Sequence, residues 1–151
     1  MRRLTILVLA LGMVLLAIPA SASDCPRRSN LRGEAILDIN DTSLGAFGSG
    51  SATVVYDGVT QNAVFAETGF TPYGGPGSPG IVTHVWSIGA NDPVTFTEYS
   101  TPVDLGGGLF RFDSRVSVTS GGSGAVSYHG IFDANTGIGE FTVSGAICID
   151  A

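Results

Sequence analysis

The chain has 151 residues, with 13 acidic side chains against seven basic ones, all arginine, together with 22 glycines and two cysteines. That length suits a single domain beyond any leader. The acidity argues against nucleic acid and anionic lipid surfaces as partners, since both are bound mainly through clustered Lys and Arg.

In chain order, the first segment "MRRLTILVLALGMVLLAIPASAS" joins Arg2 and Arg3 to an apolar run from Leu4 to Ile18, then to Pro19 and small residues at Ala20, Ala22 and Ser23. This is the three-part pattern of a secretory signal peptide. The apolar run falls short of the ~20 residues that span a bilayer as a helix. Residues 1–23 are therefore expected to be removed, leaving 24–151 as one secreted or periplasmic domain. Its arginines (Arg27, Arg28, Arg32, Arg111, Arg115) stand against 13 acidic residues, a net charge of about −8. Asp24 directly precedes Cys25 where a lipidated cysteine needs a small residue, so no membrane attachment is expected after cleavage. "PRRSNLR" reads as a solvated arm.

Export decides how the cysteines are read. In an oxidising compartment Cys25 and Cys148 have one intramolecular pairing open to them. Closing a loop of that length is worth up to about 4.7 kcal/mol on chain-entropy grounds. The bond would require the two ends of the domain to meet, with Cα atoms within about 7 Å.

After the leader, no window repeats apolar residues at helical spacing. Runs rich in Val, Ile, Thr, Phe and Tyr, punctuated by Gly, Pro, Asn, Asp and Ser, predict about eight strands. They fall near 31–39, 50–57, 59–68, 81–89, 93–100, 108–119, 125–132 and 139–149, and typical strand lengths suggest that several of these runs overstate the paired segment. "YDGV" at Tyr56–Val59 carries an Asp-Gly pair suited to a two-residue hairpin. "GFTPYGGPGSPG", Gly69–Gly80, reads as a loop that is neither helix nor central strand. Short links make sequential strands antiparallel neighbours. If the first and last strands also meet, the sheet closes. The expected fold is all-β: an antiparallel up-and-down β-barrel closed by a terminal disulfide, with a two-layer β-sandwich as the alternative.

"FRFDSRVSVTSGGSGAVSYHGIFDANTGIGEFTVSGAIC" has a strand ending in a Gly-Gly-x-Gly turn, then a strand, a turn, and a last strand closing in an "SG-x-I" segment. In this it resembles allene oxide cyclase-like barrels and the small secreted bacterial proteins of that type. "HVWSIGANDPVTFTEY" fits the preceding hairpin of that pattern loosely. The resemblance implies an antiparallel barrel with an apolar cavity and, in the plant enzymes, cyclisation of an unstable fatty-acid epoxide. No catalytic residue of those enzymes maps onto a position here, so the likeness bears on fold more than on chemistry.

Catalytic spellings are scarce. "GPGSPG", Gly75–Gly80, spells a dinucleotide fingerprint, but two prolines interrupt it and a strand, not a helix, follows. G-x-S-x-G is absent. "DANTGIGE" (Asp133, Asn135, Glu140) lacks the ligands and span of a calcium loop and reads as a hairpin turn. No close His or Cys pair has zinc spacing. "NDT", Asn40–Thr42, is a glycosylation sequon. No metal or cofactor is expected.

Strand parity sorts the remaining candidates. His129 lies opposite in parity to Val126, Tyr128 and Phe132 and is expected on the surface. His84 shares the apolar parity of Val82, Trp86 and Ile88, and Glu98 follows Val94 and Phe96. His84, Trp86, Glu98 and Tyr128 are therefore the candidate ligand-binding residues of a barrel interior. The competing expectation puts Glu98 at a strand end in water and makes His84 a hydrogen-bonded core residue. The function expected is binding of a small apolar molecule. The alternatives are a structural or protein-interaction domain whose barrel is filled by its own side chains, and an isomerase using the same residues. Binding or structure is expected ahead of catalysis.

Overall fold

A computed structural model describes residues 28–72 and 79–150. The expected signal peptide, residues 73–78 of the expected Gly69–Gly80 loop, and Cys25 with its pairing lie outside those residues. Nine strands follow one another: β1 (Ser29–Asp38), β2 (Gly48–Tyr56), β3 (Val59–Pro72), β4 (Gly80–Ile88), β5 (Val94–Ser100), β6 (Val103–Gly106), β7 (Leu109–Ser120), β8 (Gly122–Asp133) and β9 (Ile138–Ile149).

The sheet is a closed antiparallel barrel. Each ring strand pairs with the next, β5 reaches past β6 to pair with β7, and β1 pairs with β9 from Ser29↔Ile147 to Asp38↔Ile138. The β1–β9 and β5–β7 ladders rule out the sandwich, which would leave those edges apart. Eight strands make the ring, and closure removes its edges. Backbone pairing of the first and last strands closes it, without need of a covalent link. Cys148 is buried at the end of β9, and no described cysteine is a free thiol.

Three details depart from the sequence expectation. β6 is an additional strand outside the ring, paired with the start of β7 through Val103↔Arg111 and Gly106↔Leu109. It is four residues long and exposed throughout, so it carries no alternation. β3 continues to Pro72, beyond a bulge between Glu67 and Gly69. This extension pairs with β4 alone, whereas β2 pairs only as far as Glu67. Pro72 thus sits on a free edge where its missing N–H is tolerated. Finally, β1, β2, β3, β8 and β9 are longer than the sequence runs suggest, up to 14 residues for β3, as befits strands that tilt around a barrel.

Alternation sets the interior. On β7 the buried Ser114 and Val116 alternate with exposed Asp113, Arg115 and Ser117. Outward positions are largely polar (Arg32, Glu34, Thr53, Asn62, Thr142), the reverse of a lipid-facing barrel. One end of the lumen is plugged by Leu31, Val54, Ile88, Val94, Val116, Val126 and Ile147, all almost fully buried. Burying a side chain of this kind is worth about 1.5–3 kcal/mol. The β2–β3 hairpin at this end turns through Asp57 (φ 50°) and Gly58 (φ 77°), the two left-handed residues that the Asp-Gly pair predicts.

Small barrels need places where strands come very close, and Gly145 marks one. A Cβ there would lie 2.3 Å from the Ala125 carbonyl oxygen and 2.6 Å from the Val126 Cα. Both are backbone atoms of β8 and cannot rotate away. Gly145→Ala should therefore destabilise the fold by about 3 kcal/mol, the upper part of the overpacking range. Urea denaturation would check this, and a change below about 0.5 kcal/mol would show that β8 and β9 have slack.

Candidate functional site

The end opposite the plug is open. There a cavity of about 380 Å³ enters the lumen, toward the small end of the ~300–1,000 Å³ range of small-molecule sites. Its walls are aromatic: Phe65, Trp86, Phe110, Phe112, Phe132 and Phe141, with Phe47 and Phe70 at the rim, each 45% exposed. Ala35 and Ser100 present little side chain to the lumen, which leaves space that Leu and Val fill lower down.

The floor follows from strand register. Phe65 and Trp86 are directly paired across β3 and β4, and their rings stack at 4.5 Å and 7°. Phe96 and Tyr128 pack against the indole at 6.1 Å. His84 lies two residues before Trp86 on the same face. Its β3 partner is Glu67, while Glu98 on β5 is its diagonal neighbour, because Val82 pairs with Glu98 and His84 with Phe96. Across the lumen, Tyr128 meets the His84 ring edge-on at 5.7 Å.

These positions bring together the four residues singled out by parity. His84 and Glu98 are each 5% exposed, with Nε2 of the histidine 3.1 Å from Oε2 of Glu98. Glu98 is thus a buried partner and not a solvated strand end, while the expectation that His84 is hydrogen-bonded holds. Nδ1 of His84 faces Oε1 of Glu67 at 3.8 Å, beyond hydrogen-bond reach. That nitrogen has no hydrogen-bond partner, nor do the Tyr128 hydroxyl, the Trp86 indole nitrogen and the Ser114 hydroxyl, all of them buried. Buried polar atoms left unmatched cost stability, and three of them, on His84, Trp86 and Tyr128, belong to residues lining the cavity.

Electrostatics single out Glu67, which parity could have found, since it continues the inward series Ala63, Phe65. Burial raises its carboxyl above the usual range, the nearby His84 pulls it down, and Glu98 adds to the rise. Burial, reinforced by Glu98 and Glu67, holds the Tyr128 phenol far above its ordinary value, with the Trp86 indole opposing. Tyr128 is therefore a neutral hydroxyl at any working pH. For Glu67 the raised value means that the folded protein keeps a proton which the unfolded chain has lost. Its stabilising contribution is complete below the unfolded pKa and disappears as pH rises through the folded one. Glu67→Gln should flatten this part of the stability profile and make the protein more stable at pH 7. Urea midpoints of both proteins between pH 4 and pH 8 would check this, and parallel profiles would contradict it.

The rim is tied together on one side. Asn40 donates from its amide to the Thr136 carbonyl, the Ile39 N–H to Gly137, and the Asn135 amide to Gly107. The sequon asparagine is therefore engaged in the β1–β2 loop's link to the β8–β9 turn. That turn is the hairpin read from "DANTG": Asp133 accepts from the Asn135 N–H, and Gly137 N–H donates to the Asp133 carbonyl. The hydrogen bond from the Asn135 N–H, helped by the Asn135 and Thr136 side chains, holds the Asp133 carboxyl below the usual range. His129 is on the outer surface, 2.9 Å from Asp113, which also meets Arg111. Among the described residues, no group of three or more His, Cys, Asp or Glu side chains is placed to hold a metal ion.

Fold and cavity together define a small closed antiparallel barrel, plugged at one end and open at the other over an aromatic chamber with a polar floor. No family model, curated protein or solved structure matches the chain.

Proposed function

We propose that this is a secreted barrel protein that binds a small, largely apolar molecule through its open end, with a polar group of that molecule reaching the Glu67–His84–Glu98 floor. The observation that carries the reading is the chamber of about 380 Å³ with aromatic walls and unpartnered polar atoms at its base. Apolar walls with a few convergent polar groups are the usual make-up of a ligand site. The chamber weighs against a barrel filled by its own side chains, whose upper layer would need bulk at Ala35 and Ser100. Export and a Cys25–Cys148 bond are part of the proposal. The leader pattern supports the first, and the ending of β9 beside the start of β1 supports the second. The likeness to allene oxide cyclase-like barrels is in keeping with a ligand chamber.

Native mass spectrometry of the mature protein, with organic extraction of what it retains, tests the reading. A reproducible apolar adduct is expected. An empty protein that also ignores neutral hydrophobic probes would favour the structural alternative. An acid–base isomerase reading draws on the same floor, since the unpartnered Nδ1 of His84 could take a proton from a bound substrate. It would require turnover that is lost in His84→Gln while the apolar ligand still binds.

A further inference from the structure

Every described ionisable side chain that lines the chamber is a carboxylate, a histidine or a phenol: Glu67, Glu98, His84 and Tyr128. No described arginine or lysine lines it, so the described residues offer no fixed cation to a carboxylate or phosphate head, whose desolvation would go uncompensated. The acceptors, by contrast, are arranged for a donor. With the Nε2–H of His84 donating to Glu98, Nδ1 keeps a lone pair with no partner, on a residue that lines the chamber. It lies 3.8 Å from Oε1 of Glu67, too far for the two to bond each other. A single group carrying two N–H donors can serve both. Phe65 and Tyr128 pack edge-on with the imidazole, at 6.3 and 5.7 Å between ring centres.

We infer that the ligand of this chamber is an apolar molecule with a protonated amine at its buried end, the ammonium donating to the Glu67 carboxylate and to Nδ1 of His84. The inference rests on the proposed ligand-binding role and names its chemical class. The amine tail would lie along Phe112 and Phe141 toward the open end. Fatty acids and other anionic amphiphiles are excluded by charge, not by shape.

The test compares three probes of equal length, decylamine, decanol and decanoate, titrated into the full mature protein at pH 7 by calorimetry. Decylamine should bind at least tenfold more tightly than decanol, and decanoate more weakly than both. In Glu67→Gln the amine should lose about tenfold while decanol is unchanged. Decanol or decanoate binding as tightly as the amine would overturn the inference and leave the ligand-binding role standing, as would an equal loss of all three in Glu67→Gln. Failure of all three to bind the unaltered protein would remove both.

Discussion

Replacing His84 with leucine should cost the protein about 3–5 kcal/mol, a large part of the ~5–15 kcal/mol that holds a domain of this size together. The reason is the residue left behind. Glu98 is 5% exposed, and its Oε2 meets His84 Nε2 at 3.1 Å. Without the imidazole, that carboxylate would have to shed its charge or remain buried and unpaired. Glu98→Gln keeps an acceptor and nearly the same shape, and should lose no more than about 1–2 kcal/mol. The double replacement His84→Leu with Glu98→Met removes both polar groups and should recover most of the loss, since exchanging both partners of a buried hydrogen bond for apolar side chains can be nearly neutral. Denaturant unfolding of the four proteins checks the set. A double variant as unstable as His84→Leu would show that packing, and not charge, holds this part of the barrel.

Trp86→Ala should destabilise by a similar amount, about 3–5 kcal/mol. The indole is almost fully buried, stacks on Phe65 and meets Phe96 and Tyr128. Its removal would extend the chamber down into the plug and leave Phe65 without its stacking partner, an interaction worth about 0.5–1.5 kcal/mol beyond burial. Trp86→Phe, which keeps a ring at that position, should cost less than half as much. Thermal unfolding distinguishes the two cases. Equal losses would mean that the indole nitrogen, and not the aromatic stack, is the important feature.

Much of the barrel was legible because a strand buried on one face writes its orientation into alternate residues. The inward series on β4 and β7 came directly from this, and placed His84 and Trp86 correctly. The Asp-Gly hairpin was legible for a different reason, since its two left-handed positions restrict the residues that fit. Closure could be read only indirectly. The sequence pointed to adjacent ends through two cysteines, whereas the barrel is closed by a full β1–β9 ladder that no local pattern announces. β6 escaped because four exposed residues have no periodicity. The end of β3 was hidden by the bulge at Glu67–Gly69, which shifts register just where Gly and Pro suggest a loop. Glu67 lies before that bulge and on the parity of Ala63 and Phe65, so alternation alone places it inside. The His84–Glu98 contact depends on a diagonal across two strands, and register at that precision follows from pairing and not from composition.

The chamber contains its own reporter, because Trp86 is the only tryptophan in the chain and lines the cavity. Titration with N-phenyl-1-naphthylamine, a neutral apolar fluorophore, while exciting the indole, is the most direct measurement of whether apolar molecules enter the barrel. Saturable energy transfer from Trp86 at one probe per protein is expected, abolished when Ala35→Phe fills the lumen. Absence of transfer, or transfer that is undiminished in Ala35→Phe, would contradict a ligand chamber inside the barrel.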